Sequence, residues 1–411
     1  MRRLEPCLLA LASAMLAGHA QAHGGGDALG IPAEPGWRAG LAIAGAWLGA
    51  EADTALPAPA LSGYLTSGET PSDRSGLGLE HATLDLAGRV ALGPASLGAA
   101  FAYGWHGEDG SHVETAWLNL QARTDAGIVA GGGRRRVPMG NAIDQAGNFD
   151  RFAQVPLAKR AILNDDWITD GALLGWQRDH AEVLPWLTRL EVGAWKGEVF
   201  PGGPGAPAAP SARVQVSAGG WVFDAFVSHL EPQQRATRAQ GSSTGHSHSQ
   251  PDCSASLRFL SCFDGRVELL AGSARWQTPW QGVSLAVSAL LRDEQGDLYS
   301  ENGDVLYEGQ TWGGWFDAAW QIHPQFDAAL RLETLHASHD LKGPGASLVA
   351  RDANLLPYDA AQRGELSLGW SPYPKLTLRA SVGQERVASL DTRYGAFRLI
   401  WVPDQLFGGR W

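Results

Sequence analysis

The residues with the clearest chemical potential lie in Gly131-Gly132-Gly133-Arg134-Arg135-Arg136 and in the segment 138–170 that follows. Clustered guanidinium groups attract anions, and Asp144, Asp150, Asp165 and Asp166 could oppose Arg134 and Arg136 across a gap. A transverse pairing of this kind sets ion preference in a narrow pore. Arg151, Lys159 and Arg160 in the same segment offer a different use, a further anion-binding surface, and spacing does not choose between the two. The other candidate chemistry is metal ligation, because imidazole suits zinc and copper. His246 and His248 stand two apart in a Ser-rich stretch, and His23 would carry a free amine if it began the mature chain. His229 or Asp252 could join the pair, but spacing fixes no third ligand, so a solvated loop and a free chain end are the plainer reading. No nucleophile elbow, zinc-protease helix, phosphate loop or dinucleotide fingerprint stands in a suitable context, since the glycine run leads into Arg and Pro instead of a helix. No catalytic residue can be assigned, and the chain is not expected to be an enzyme. A barrel enzyme assembled from distant residues stays as an alternative.

These residues need a scaffold, and composition narrows the choice. The chain has 411 residues, 43 acidic against 32 basic, a net charge of −11, 52 Gly and 17 Trp. With 18% charged and 9% aromatic residues it is neither disordered nor a coiled coil. A negative balance without a long basic block argues against a nucleic-acid partner, whose phosphates must be neutralised by Lys and Arg. Arg2 and Arg3, a run of Leu, Ala and Met to Gly18, and the closing Ala20-Gln21-Ala22 read as a cleaved secretory signal over 1–22, followed by a flexible mature N-terminus over 23–35. In an oxidising compartment Cys253 and Cys262 have a spacing that can close a small disulfide loop.

From about residue 36 onward the apolar and polar residues alternate at period two, the period of a strand. In 375–382 one face carries Lys375, Thr377, Arg379 and Ser381, while the other carries Leu376, Leu378, Ala380 and Val382. Sixteen such segments fit between residues 37 and 402. Their connections alternate in length: brief ones near 92–94, 124–125, 179–185, 219–220, 278–280, 323–325 and 372–374 interleave with longer ones at 51–76, 138–170, 199–209, 231–265, 294–309 and 339–362. The connections at 107–111 and 387–392 are shorter members of the second set. A soluble sandwich alternates too, but this parity is that of an outer-membrane barrel with short periplasmic turns and long external loops. Trp37, Trp105, Trp117, Trp186, Trp195, Trp276, Trp280, Trp312 and Trp370 flank the segments as an interfacial girdle would. The expected fold is therefore an all-β, transmembrane, antiparallel up-and-down β-barrel of about sixteen strands over 36–411, in a bacterial outer membrane and in contact with its lipid. A gated receptor with a plug and a 22-stranded barrel would not fit in this length.

With the apolar face toward lipid, the opposite face lines a lumen. Its basic residues are Arg123, Arg134, Arg136, Arg189, Arg266, Arg292, Arg331, Lys375, Arg379 and Arg398. Its acidic residues are Asp85, Glu191, Glu268, Asp317, Glu333 and Glu365, so the wall is net positive. Paired Arg and Glu on neighbouring strands can also serve only to stabilise that wall.

Gly133 with Pro138-Met139-Gly140, Phe149, Pro156-Leu157, Asn164-Asp165-Asp166-Trp167 and Asp170-Gly171 resembles the corresponding hairpin of porin-type outer-membrane proteins related to phosphate-selective porins. The block from Gly193-Ala194-Trp195-Lys196 to Gly202 is similar to one in a poorly characterised branch of such barrels, some of them linked to zinc supply. The resemblance covers about 77–202 and implies a monomeric or homotrimeric channel for anions or small solutes, narrowed by 138–170. The sequence lacks the dense lysine ladder that phosphate selectivity would suggest. No cofactor is expected, apart from zinc or copper if the histidines bind it; a metal-binding uptake protein is the alternative function. Replacing Arg134 and Arg136 by Ala is expected to shift a conducting pore toward cations, read as the reversal potential under a KCl gradient.

Overall fold

Alternating side chains along a strand create two unlike faces, and closing the sheet hides every strand edge, so the backbone is satisfied without water. The computed structural model describes residues 30–51, 56–57, 61–67, 73, 75–106, 110–122, 127–177, 187–238, 253, 257, 260–356, 359–403 and 406–410. The strands are β1 (Gly36–Ala50), β2 (Gly76–Leu92), β3 (Ala95–Trp105), β4 (Ser111–Ala122), β5 (Ile128–Arg136), β6 (Ile168–Gln177), β7 (Leu187–Trp195), β8 (Ala209–Ala218) and β9 (Trp221–Leu230). A short β10 (Arg235–Arg238) precedes β11 (Leu260–Gln277), β12 (Val283–Ser300), β13 (Gly303–His323), β14 (Phe326–Lys342), β15 (Ala361–Tyr373), β16 (Leu376–Val387), β17 (Leu390–Trp401) and β18 (Phe407–Gly409). Sixteen of them form a closed antiparallel barrel, in which β9 pairs directly with β11 and β1 pairs with both β2 and β17. β10 only extends β11, and β18 resumes pairing with β1 beyond the break around Pro403. Among the described residues three short helices lie in the loops: α1 (Asn141–Gln145), α2 (Leu157–Leu163) and α3 (Ala346–Asp352). No described helix is long and apolar enough to cross a membrane.

The outer face is apolar. Leu86, Leu118, Leu174, Val192, Leu332, Leu368, Val382 and Phe397 are all more than half exposed, and exposed Phe223, Leu270, Val287 and Phe316 continue the band over β9 to β13. An apolar band of this extent is what contact with lipid tails requires. Trp47, Trp105, Trp280, Trp312, Trp320 and Trp370 are exposed with it. Trp117 and Trp195 depart from the expected girdle: both are buried inside, with their rings stacked 6.1 Å apart.

The connection expected at 294–309 is strand for most of its length, because β12 continues to Ser300 and β13 begins at Gly303. The sequence Asp293-Glu294-Gln295-Gly296-Asp297 looks like a loop by composition, yet its backbone pairs on both sides. Strands 17 to 21 residues long stand well beyond the 9–11 or so needed to cross a bilayer. The upper part of the wall can therefore be polar on its outer face. Strand also replaces loop at 235–238 and 260–265, and over 339–342 and 361–362. Cys253 is bonded to Cys262 beside the start of β11. Part of the segment expected to be a flexible N-terminus is seated: Ile31 lies against Gly98, where an added Cβ would come within 2.6 Å of it.

Gly133 shows why the glycine run precedes the arginines. Its φ is +127° and an added Cβ would collide with the carbonyl oxygen of Ala116 on β4. Gly133→Ala is expected to destabilise the refolded barrel by about 1–3 kcal/mol through strain at that conformation, seen as a lower urea midpoint; an unchanged midpoint would remove close strand approach as the reason for the glycine.

Candidate pore and constriction loop

A long loop inside a barrel brings unpaired peptide groups that something must satisfy. Segment 138–170 enters the lumen and meets the inner wall of β12, β14, β15 and β17, where charged side chains hold its backbone. Glu333 accepts a hydrogen bond from Leu157 N at 2.7 Å, and so supplies the N-terminal partner that α2 lacks, since Pro156 precedes it. Glu365 accepts from Ala153 N at 2.6 Å and from Tyr394 Oη at 2.9 Å. Arg363 donates to Val155 O at 2.9 Å while paired with Glu385 and Glu333. Arg398 donates to the carbonyls of Phe152, Asp150 and Asn148, and its Nε meets Glu80 at 2.8 Å. Arg292 donates to Ala161 O at 2.9 Å and to Leu65 O of the first long connection. That connection is held too, with Tyr64 Oη donating to Leu335 O and accepting from Ala361 N.

The loop carboxylates are spent on structure. Asp150 pairs with Arg331 at 2.9 Å, Asp166 with Lys159 at 2.8 Å and Arg136 at 3.0 Å, and Asp165 with Arg160 at 3.6 Å. Asp144 accepts the backbone N–H groups of Met139 and Gly140. These four were expected to face a wall of Arg134 and Arg136, and they do so only in part: Asp166 meets Arg136, while Asp150 pairs with Arg331 and Asp165 with Arg160. Their charge is met by groups of the loop and by Arg331 and Arg136 of the wall, because an unpaired carboxylate in a packed interior is costly. Arg160 and Lys159, offered above as anion-binding charges, are buried and paired in the same way. Arg136 keeps a place at the loop, donating to Asp144 O at 2.6 Å.

Arg134 requires a further correction. It stands opposite Ala116 and Asp170, two positions from Gly132 and four from Ala130, which faces the exposed Leu174. It is therefore on the outer face, with Asp170 at 3.9 Å and Lys196 beyond it. The inward member of the triplet is Arg135, whose guanidinium lies 5.0 Å from the centre of the Trp117 ring. A one-residue difference in register exchanges the faces, and Gly131-Gly132-Gly133 offers no alternation to reveal it.

The wall residues separate into two groups. Arg331, Arg379, Arg398 and Glu333 point inward as expected but are buried under the loop, with Arg379 paired to Asp327 at 2.8 Å. Arg189 is different: it borders a cavity of about 720 Å³ on the side of β2 to β7. Arg89, Arg135, Asn119, Gln121 and Glu191 border it as well. Arg89 donates to Gln121 Oε1 at 2.7 Å, Arg189 to Gln177 Oε1 at 2.7 Å, and Arg189 lies 3.7 Å from Glu191. Sequence reasoning missed Arg89 and Arg135. Arg123 and the histidines His23, His246 and His248 lie outside the described residues.

No protein-family profile matches the chain, and no curated protein does. Solved structures do. OmpT of Vibrio cholerae, an outer-membrane protein folded in vitro and described in its trimer form, superposes with a TM-score of 0.54 at 10% identity, covering 90% of this chain and 100% of that one. OmpF of Salmonella typhi in complex with daunomycin superposes with a TM-score of 0.52 at 10% identity, covering 89% and 97%. At such identity the likeness is one of fold: a closed outer-membrane type of β-barrel.

Arg331→Met would leave Asp150 buried without its guanidinium. The expected loss is about 3–5 kcal/mol, with faster cleavage inside 138–170 by added protease. Unchanged urea unfolding and proteolysis would show that the loop stays docked without this pair.

Proposed function

We propose that the protein is an outer-membrane channel for passive diffusion of ions or small solutes, with a lumen that mildly favours anions, and that it performs no catalysis. The observation that carries this reading is the polar cavity along β2 to β7, where Arg89, Arg135 and Arg189 stand with Glu191, the one carboxylate among the described residues that line it. A wall of fixed guanidinium groups in a confined aqueous space lowers the energy of an anion and raises that of a cation. Docking of 138–170 on the opposite wall confines any passage to this side, so the same charges act on whatever crosses. The apolar outer band supports contact with lipid, and the fold shared with OmpT and OmpF supports a bacterial outer-membrane location. Assembly as a homotrimer belongs to this reading, supported by the trimer form of OmpT.

The test is conductance of the refolded full chain in a planar bilayer under a KCl gradient. Discrete steps with an anion-leaning reversal potential are expected. Arg135→Ala or Arg89→Ala should move that potential toward cations, Glu191→Gln away from them, and Arg134→Ala should leave it in place. A folded barrel that passes no current overturns the channel reading.

A further inference from the structure

Two strand irregularities near the long-loop end of the barrel gather groups that the channel reading does not use. In β4, Ala102 pairs with Thr115 and Tyr103 with Val113, so Glu114 is an extra residue without a cross-strand partner. This bulge lets Glu114 and Thr115, neighbours in sequence, both point inward, where they are 1% and 2% exposed. A matching bulge leaves Glu80 between the pairs Ala44–His81 and Gly45–Leu79, and His81 is fully buried in the lumen. His106, just after β3, completes the group, with its ring stacked on His112 at 4.8 Å.

The Glu114 Oε1 atom lies 3.2 Å from His81 Nε2 and 2.9 Å from His106 Nε2. The two imidazoles also approach each other, with their Nδ1 atoms 3.1 Å apart, and Glu114 Oε2 is buried with no hydrogen-bond partner. Buried polar groups are ordinarily satisfied, so two imidazoles gathered on one buried carboxylate with a free oxygen need an explanation. Two ligands of one zinc ion with bonds of about 2.0–2.1 Å stand about 3.3 Å apart in a tetrahedron, close to the spacings observed. The cleft is also shaped for the carboxylate: a Cβ on Gly104 would collide with Glu114 Oε1. Asn148 of the docked loop approaches His81 Nδ1 at 3.2 Å, and Phe149 meets the same ring edge-on at 5.0 Å.

We propose that His81, His106 and Glu114 form a binding site for a divalent transition-metal ion of the zinc class inside the mouth of the barrel. Two imidazoles and one carboxylate are three protein ligands, the number that leaves a position open for water or an incoming group. His106, 22% exposed in its side chain, is the side from which the ion enters. Thr115, next to Glu114, borders the cavity lined by Arg89, Arg135 and Arg189, so the site is tested by metal binding itself and not by conductance.

The probe is zinc chloride alone, titrated calorimetrically into the refolded, metal-stripped full chain, with Co²⁺ as a spectroscopic substitute. One ion per chain is expected. Glu114→Gln, which keeps the shape, and His106→Ala, at a strand end, should each weaken binding by about 100-fold or more, beyond the effect expected of outer-sphere changes. Gly104→Ala should weaken it with all three ligands present, and the ligand-field absorption of bound Co²⁺ should change in Glu114→Gln. A His246→Ala/His248→Ala double variant should bind as the parent does. Absence of saturable binding in the folded parent overturns the site, as does an affinity that follows His246 and His248 instead of Glu114 and His106.

Discussion

Everything inside this barrel depends on how the peptide groups of segment 138–170 are satisfied away from bulk water. Outside its two short helices the loop has no regular ladder of its own. Its N–H and C=O groups are instead met by long side chains reaching inward from four strands: Glu333 and Glu365 accept, while Arg292, Arg331, Arg363 and Arg398 donate. Arginine suits this task because its planar group carries five donors and remains charged when buried. Each guanidinium also needs a counter-charge, which is why Glu294, Asp317, Glu385 and Glu80 stand beside them. A wall that reads as a conduction surface is, on this side, a docking surface.

That allocation divides the lumen. On the side of β12 to β17 charge is neutralised in pairs and covered by the loop, so it presents little field to a passing ion. On the side of β2 to β7 the lining mixes neutral polar and aromatic residues, among them Asn119, Gln121, Trp117 and Trp176, with Arg89, Arg135, Arg189 and Glu191. The positive character expected of the whole wall is concentrated in the part left open. Net charge summed over inward residues therefore says less about selectivity than where the loop lies.

The sequence made the barrel legible because its signal is repeated sixteen times: alternation within strands and alternation of connection length between them. Both follow from geometry that every strand must obey. The long hairpin of β12 and β13 was hidden because its upper half carries Gln295, Asp297, Asp304 and Glu308 on the outer face, a pattern that membrane-spanning strands avoid but water-exposed strands permit, while Leu298, Val305 and Tyr307 are buried inside. The site was legible only in part. Arg189 and the docked Arg331, Arg379, Arg398 and Glu333 followed from parity, whereas Arg134 and Arg135 exchanged places because a triglycine run carries no phase. The bulges did leave a trace: Leu77 and Leu79 face outward at odd positions, but Leu84 and Leu86 do so at even ones. A change of parity within one strand marks an inserted residue, and here it marks Glu80.

The two bulges connect the docked loop to the histidine cluster. Without an extra residue in β2, either Glu80 or His81 would point to lipid, since neighbours in a regular strand face opposite ways. With it, both face the lumen. Glu80 crosses β1 to reach Arg398, and the buried Ala42 and Ala44 keep that crossing clear. Arg398 in turn holds the carbonyl of Asn148, whose side chain rests on His81. The bulge in β4 adds Glu114 on the other side of His81 and His106. The irregular residues of two strands thus supply one carboxylate that fixes the loop and one that faces the imidazoles, with Asn148 between them. Losing either bulge would cost the barrel little pairing but would remove a carboxylate from the lumen, so neither insertion is explained by the needs of the barrel wall alone.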